Sequence, residues 1–587
     1  MSEKHLITTY FNLHNAKQFV ESINEEANSV YYVFAAKSTP FDNGDDNVPN
    51  IINTNNTVNI DPYKNMVFGK RVSVNDVKVM IPRYDWVSGT QYSEYSSNTD
   101  LTGSKYYAVV NNASYYYVFK VLDNNNGANS VIRPSYYETG ADDDYYSTSD
   151  GYVWKYMYKV EKSVFDRFAT SEYIPVVEDV DVQANAVSGV IDIIKIKYPG
   201  SNYNTYLSNT FLFSDLTING NNLIYGIANN APSTNAFYVA SLIYITDGTG
   251  IGQYKKIIGY NVIGNSKQIT IDSEFAIKPD STSVYEITPS VVITGDGTNA
   301  IARALVNSSS SNSIYKIEII SRGSGYTYAN AVVQGNTGGI SNSAILSVVY
   351  GPKGGHGKNP QAELGGKYVG ISVTFSNNES GSIPTKNDYR TIGIIKDPLF
   401  SNVNINISNT SGLFIDNEIV IQANTNATGK VKEKTLSSIS LTDVKGIFET
   451  GKTLTGLTSG TVANVTSYDI NGEVKNFNTF DNRLKYSYTS SFGNFIEDEQ
   501  VFQLATEFSN AYFHSNTSTY VYLLDKKGII NLSNTITGTV SSAVMNLGAS
   551  WPSDIVEGSG EILYIENIDP IDRNDLQSET IKLILKF

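Results

Sequence analysis

The chain has 587 residues, more than one ordinary domain, and its 41% hydrophobic and 17% charged residues exclude intrinsic disorder. A formal net charge of −15 with no basic run argues against a nucleic-acid binder and against anionic membranes as partners. Cysteine is absent, which excludes disulfides and thiolate metal sites and fits assembly in a reducing cytoplasm.

Tyr is abundant at 42 residues beside 24 Phe, and Val, Ile and Thr recur between turns rich in Asn, Gly and Asp. These residues suit pleated, half-buried surfaces and tight turns. The expected fold class is mainly β with a minor α component, built from several domains. Met1 to His5 is followed by no long apolar stretch, so no secretory signal is expected. No apolar run approaches the roughly 18 residues of a spanning helix.

The beginning reads β–α–β. Leu6 to Phe11 is a predicted strand, and Asn15 is positioned to cap a helix with Phe19, Val20 and Ile23 on one face. Val30 to Ala35 is a second strand, followed by a loop from Thr39 to about Asn56. A short helix is predicted over Ser163 to Thr170.

Two internal repeats follow. Ile194-Lys195-Ile196 with Gly200-Ser201-Asn202-Tyr203 matches Ile317-Glu318-Ile319 with Gly323-Ser324-Gly325-Tyr326. Asn202 stands where the second copy has Gly325, and these two residue types best tolerate positive φ. The same turn built twice, each after a strand, is the expectation. The second repeat pairs Gly412-Leu413-Phe414-Ile415, Gly446-Ile447-Phe448-Glu449 and Gly493-Asn494-Phe495-Ile496. Each precedes a later small-residue strand at Gly429, Gly460 or Gly538, and this density of strands predicts small barrels or sandwiches.

Searching for chemistry yields little. His5, His14, His356 and His514 are scattered without metal-ligand spacing, and each reads as a surface or satisfied histidine. Gly351 to Lys358 fails the phosphate-loop pattern, because Asn359 stands where Ser or Thr would hold magnesium. It is expected to be an exposed loop. Gly248-Thr249-Gly250-Ile251-Gly252 lacks dinucleotide-loop spacing and reads as a hairpin or loop. Asp142-Asp143-Asp144 lacks the alternating ligands of a calcium loop and reads as a solvated acidic loop. No catalytic residue, cofactor or metal ligand is assigned, and the chain is expected not to be an enzyme.

Several segments, in order, carry a family likeness. Lys37-Ser38-Thr39-Pro40-Phe41 is followed by Ile81-Pro82-Arg83-Tyr84-Asp85-Trp86 and by Asp150-Gly151-Tyr152-Val153-Trp154-Lys155-Tyr156. Then come Glu172-Tyr173-Ile174, Tyr389 to Ile395 with Asp397-Pro398-Leu399, and Gly560 to Asn567 with Pro570-Ile571. Together they resemble the dimeric baseplate wedge protein of T-even-like contractile-tailed phages. Pro82, Arg83, Asp85, Trp86, Gly151, Tyr152, Trp154, Arg390, Pro398, Glu561, Tyr564, Glu566, Asn567 and Pro570 are its framework residues here. Arg83 and Asp85 are each placed to fix a neighbouring backbone by charge-assisted bonds. Alternation of Ile581, Leu583, Leu585 and Phe587 marks a closing strand with one buried face.

The resemblance implies a discontinuous family domain from 1–86, 386–399 and 558–587. Around it lie a β domain at 87–186, an all-β insertion at 187–385 and an all-β repeat insertion at 400–557. Trp86, Trp154 and Tyr564 are expected in one buried framework. The implied function is structural: a virion protein, a wedge subunit of the tail baseplate that takes part in assembly and in rearrangement on contraction. Implied partners are a second copy in a homodimer and other wedge proteins of the same phage, with host cytoplasm as the place of assembly. The insertions are left to reach neighbours, the rim or the host surface. The alternative is a receptor- or carbohydrate-binding tail protein with 410–550 as its ligand module. Third is a polysaccharide depolymerase, which needs two carboxylates about 5–10 Å apart.

Overall fold

The computed structural model describes residues 9–25, 29–51, 61–97, 99–135, 145–203, 207–209, 214–215, 223–334, 342–379, 383–384, 387–401, 403–469, 477–504, 509–574 and 576–587. The protein is mainly β with a few short helices, and it divides into two compact units. One comprises Met1–Leu13 and Met80–Lys367, the other His14–Val79 and Tyr368–Phe587.

In the second unit a five-stranded antiparallel sheet interleaves distant parts of the sequence. Its order is Thr479–Asp481, Met66–Arg71, Tyr31–Ala36, Asn387–Lys396 and Glu561–Arg573. The apolar run Tyr31–Ala36 is buried at every position, because both faces of the sheet are covered. Tyr31, Val33 and Ala35 pack into one core with Ala16, Phe19, Val20 and Ile23 of the helix Thr9–Asn24. That core also takes Val369, Ile371, Val373, Ile581 and Leu583 from the paired strands Tyr368–Ser376 and Ser578–Lys586. Leu585 and Phe587 continue the predicted closing face. Tyr32, Phe34 and Ala36 pack on the opposite side with Phe400, Phe477, Phe480 and Ile555.

Thr9, Tyr10 and Phe11 are helical, not part of a strand, and Asn15 lies inside the helix instead of capping it. The buried stripe already includes Leu13 and Ala16, so amphipathic spacing overrides the β preference of Tyr10 and Phe11. The other predicted helix is present as Lys162–Phe168.

Two closed six-stranded barrels lie between the sheet strands Asn387–Lys396 and Glu561–Arg573. Each is two copies of one unit: a long strand, a Gly-x-apolar turn, a short strand and another long strand. In the first barrel these are Val403–Ser408, Ile419–Gln422 and Ala427–Lys434, then Ser438–Lys445, Thr453–Gly456 and Val462–Asp469. In the second they are Leu484–Phe492, Gln500–Gln503 and Ser509–Asn516, then Tyr520–Lys527, Thr535–Gly538 and Val544–Trp551. The repeat therefore has four copies, not three. Gly528-Ile529-Ile530 is the fourth, with Ile530 packing on the second core as Phe495 does, while Phe414 and Phe448 fill the first. Gly429, Gly460 and Gly538 are not equivalent positions, since Gly538 ends a short strand and Gly429 lies within a long one.

The first unit contains a four-stranded antiparallel sheet in the order Tyr107–Asn111, Tyr115–Asn124, Tyr152–Glu161 and Tyr145–Ser147. The same unit also holds a ten-stranded sheet and the ladder of Ile191–Tyr198 with Ile345–Tyr350. The 87–186 segment and the 187–385 segment as far as Lys367 fall within this unit. Asn202 and Gly325 both have positive φ, at 62° and 80°. The two turns are also used reciprocally. Asn202 and Tyr203 donate backbone N–H groups to the carbonyls of Ser311 and Asn312, and Gly325 and Tyr326 donate to those of Ser188 and Gly189. Each copy's turn thus docks on the chain leading into the other copy's strand.

Candidate functional site

In the second unit the structure brings together three of the family-like segments. Arg390 is buried, and its Nε–H lies 2.9 Å from both oxygens of Asp45 while Nη1–H donates to the Ser38 carbonyl. Asp45 also accepts from the Phe41 N–H at 3.2 Å, so one guanidinium fixes the Lys37–Phe41 turn. Burial opposes ionisation of Asp45, but the Phe41 N–H and Arg390 outweigh it and hold the carboxyl below its usual range. Next to Arg390, Thr391 Oγ1 donates to Asn567 Oδ1 at 2.7 Å, and Asn567 Nδ2 donates to the Pro49 carbonyl at 2.9 Å. Tyr564 hydrogen-bonds Glu566 along the same strand, and Glu561 pairs in register with Lys396. Pro398 follows Asp397, whose carboxylate accepts from the Val30 N–H at 2.7 Å. Pro570 lies exposed in the edge strand.

The remaining framework residues lie in the first unit. Pro82 ends a strand, and Arg83 grips Asp85 with two bonds at 2.8 and 2.6 Å while Nη1–H donates to Thr170 O at 3.1 Å. Arg83 thus fixes a backbone as expected, but Asp85 is spent mainly on Arg83 itself. Trp86 Nε1–H donates to Ser130 Oγ at 3.0 Å. Gly151 has φ 86°, a conformation glycine adopts without strain, and it starts the strand whose Tyr152 and Trp154 rings stack at 5.4 Å. Trp86 packs against the core that holds Trp154, whereas Tyr564 packs in the second unit. The single framework expected for all three aromatics is not formed.

Each barrel is stitched by one buried glutamate and one buried glutamine. Glu418 accepts from Ile415 N–H (2.6 Å), Thr458 N–H (3.1 Å), Ser459 N–H (2.9 Å) and Ser459 Oγ–H (2.9 Å). Glu499 repeats the set with Ile496 N–H (2.8 Å), Val540 N–H (3.0 Å), Ser541 N–H (3.0 Å) and Ser541 Oγ–H (2.6 Å). Burial raises both carboxyl pKa values, but these hydrogen bonds more than offset it and both are lowered. Gln422 exchanges two hydrogen bonds with the Glu449 backbone, and Gln503 does the same with Asn531.

Where the barrels meet the sheet, charges are enclosed. Lys432 lies 3.3 Å from Asp554, which also accepts from Asp481 N–H at 2.9 Å. Arg483 holds Asp481 at 3.0 and 2.8 Å and lies 4.0 Å over the Tyr522 ring. Lys485 of the second barrel pairs with Asp443 of the first. Burial, reinforced by Arg483, pushes His514 down to about 3, so its imidazole is neutral. Beside this cluster is a polar cleft of about 490 Å³ lined by Glu379, Asp416, Asn417, Lys432 and Lys434 among others.

One further cluster escaped the sequence. His356 lies 2.7 Å from Asp192 and 3.6 Å from Glu363, which also pairs with Lys120 at 2.5 Å. Burial opposes ionisation of Glu363, but Lys120 and His356 draw its pKa down to about 2. All four side chains are at most 6% exposed. The arrangement ties the loop of His356 and the short helix ending at Glu363 to the strands that carry Asp192 and Lys120. It also corrects the reading of 351–358 as exposed: Gly351, Gly355, His356 and Gly357 are buried, and Lys353 and Lys358 are exposed. The loop is drawn in because His356 anchors it to Asp192. His14 is exposed and His514 is bonded, as expected; His5 and Asp142 to Asp144 lie outside the described residues. Gly248 to Gly252 forms the predicted hairpin turn. Among the described residues no group of three or more His, Asp or Glu is placed to hold a metal ion. No helix of the described residues is long and apolar enough to cross a membrane.

Compared with protein-family models and with curated protein sequences, the chain matches none.

Proposed function

We propose that this protein is a structural subunit of a contractile phage tail, a wedge component of the baseplate, with a mechanical and not a catalytic role. The observation that carries the reading is the five-stranded sheet, which seats strands 31–36 and 66–71 beside 387–396 and 561–573 and sends both barrels out between the last two. Three segments that resemble the wedge family meet there through Arg390, Thr391 and Asn567. A closed framework with rigid modules projecting from it suits a part that is held in one assembly and repacked in another. The resemblance also implies a homodimer bound to other wedge proteins at the virion tail.

The test is mass spectrometry of purified tails from the phage that encodes the chain, with labelled antibody to locate it. Its presence at the baseplate end is expected; its absence from intact tails overturns the proposal. Sedimentation of the purified chain checks the dimer, and a monomer throughout the micromolar range counts against it.

Receptor or glycan binding by the barrels ranks second, favoured by the polar cleft beside the first barrel. Among the described residues the barrel tyrosines form no exposed cluster, since Tyr486 is buried and Tyr488, Tyr512, Tyr520 and Tyr522 are half-buried, and Phe492, 79% exposed, is the aromatic the second barrel presents to solvent.

A further inference from the structure

The family-like turn of the first unit borders a cavity of about 290 Å³ lined by Arg83, Asp85, Trp86, Asn111, Tyr116 and Arg133, with Val109 at its base. Its polar groups are not equally engaged. Arg83 gives three of its five N–H groups to Asp85 and the Thr170 carbonyl. Arg133 uses only Nη2, on the backbone and side-chain oxygens of Asn111. Among the described residues, its Nε–H and Nη1–H groups have no protein partner. Two guanidiniums against one carboxylate leave the cavity net positive in a chain whose formal charge is −15.

The walls are rigid. Trp86 is pinned through Ser130, and Tyr116 stacks on Phe165 with ring centroids 3.4 Å apart. Adjacent in sequence to Trp86 and Arg133, Val87, Val131 and Ile132 are exposed at 59%, 53% and 41%. Asp150 ties the last two in place by accepting both of their N–H groups at 2.8 Å. A preformed cavity lined by Trp, Tyr and Arg has the composition of an interface hot spot.

We infer that this cavity receives a carboxylate side chain from a partner protein, with Arg133 as the residue that binds it. The free Nε–H and Nη1–H groups lie on different edges of the guanidinium, so a carboxylate oxygen takes a single charge-assisted hydrogen bond from Nη1–H, and the aromatic walls accept the methylene stem. Apolar neighbours of that acidic residue rest on Val87, Val131 and Ile132. The inference deepens the assembly reading by naming what the partner must present, and it is tested without reference to any tail.

The probe is N-acetyl-glutamate amide, with N-acetyl-glutamine amide as the uncharged control, each titrated to tens of millimolar against the full chain. With only three tryptophans, the Trp86 indole N–H is followed by NMR. Saturable shifts of Trp86 with the glutamate probe, at least tenfold weaker with glutamine, are expected. Arg133→Gln, an exposed position, is expected to abolish the response while leaving the rest of the spectrum unchanged. No shift with either probe, equal shifts with both, or an undiminished response in Arg133→Gln overturns the inference. The wedge reading stands or falls separately on the composition of purified tails.

Discussion

Glu418 and Glu499 offer a perturbation with a built-in control. Replacing Glu418 by Ala removes a carboxylate that accepts four hydrogen bonds and leaves the N–H groups of Ile415, Thr458 and Ser459 unpaired at a position only 4% exposed. Hydrogen bonds to a charged group contribute roughly 1.5–3 kcal/mol each, but the freed turn relaxes toward water, so the net loss is about 3 kcal/mol. Such a loss corresponds to on the order of a hundredfold faster amide exchange in the turn 456–461. Hydrogen exchange read by mass spectrometry should show that acceleration with the equivalent turn 538–543 unchanged, and Glu499→Ala should give the reverse. The pH dependence has a fixed sign. Because the folded pKa of Glu418 is lowered, its contribution is fully present above the unfolded carboxylate pKa and is lost as pH falls through the folded value. If Glu418→Ala leaves both turns at wild-type rates, or loosens both equally, the carboxylate does not hold the barrel halves together.

Two other perturbations bear on the fold. Asp554→Ala leaves Lys432 buried without its counter-charge, and breaking an enclosed pair in this way costs about 3–5 kcal/mol; denaturant unfolding followed by tryptophan fluorescence should show a lowered midpoint, and an unchanged one would mean that Lys432 finds another partner. Asn202→Val forces a β-branched residue to φ 62° and should destabilise the first unit by about 1–2 kcal/mol, while Asn202→Gly stays within about 0.5 kcal/mol of the natural chain; equal midpoints for the two variants would show that the backbone relaxes there.

Much of this architecture could be read from local pattern. The turn at Asn202 was legible because only a residue tolerant of positive φ exchanges freely with Gly325. Three of the four barrel units were legible because Phe414, Phe448 and Phe495 sit at the same step after a glycine. The fourth was hidden because Ile530 supplies the same apolar volume with a different letter. The clusters were not legible at all. Nothing in the neighbourhood of His356 announces Asp192 or Lys120, which reach it from strands far away in sequence. Trp154 is buried and Trp86 packs half-buried against the same core, but aromatic character alone does not say which core a residue joins, and Tyr564 packs against another. The helix at Thr9–Asn24 was misplaced at its beginning because Tyr10 and Phe11 favour strands, while Leu13 and Ala16 set the helical stripe.

The two ways of adding mass to this chain have different physical consequences. Each barrel closes on itself, so its strands leave no unpaired edge, and its halves are welded by their own Glu and Gln. Such a module can be carried between two sheet strands at little entropic cost, because closing a longer connection grows only logarithmically expensive. The 188–350 region works the other way: each repeat's turn is completed by the other repeat's backbone, so neither copy is whole alone. Excising the first barrel strips Asp554 of Lys432 and Lys485 of Asp443, so the second barrel and the sheet should stay folded with a lowered denaturant midpoint, whereas excising either turn repeat should unfold both repeats.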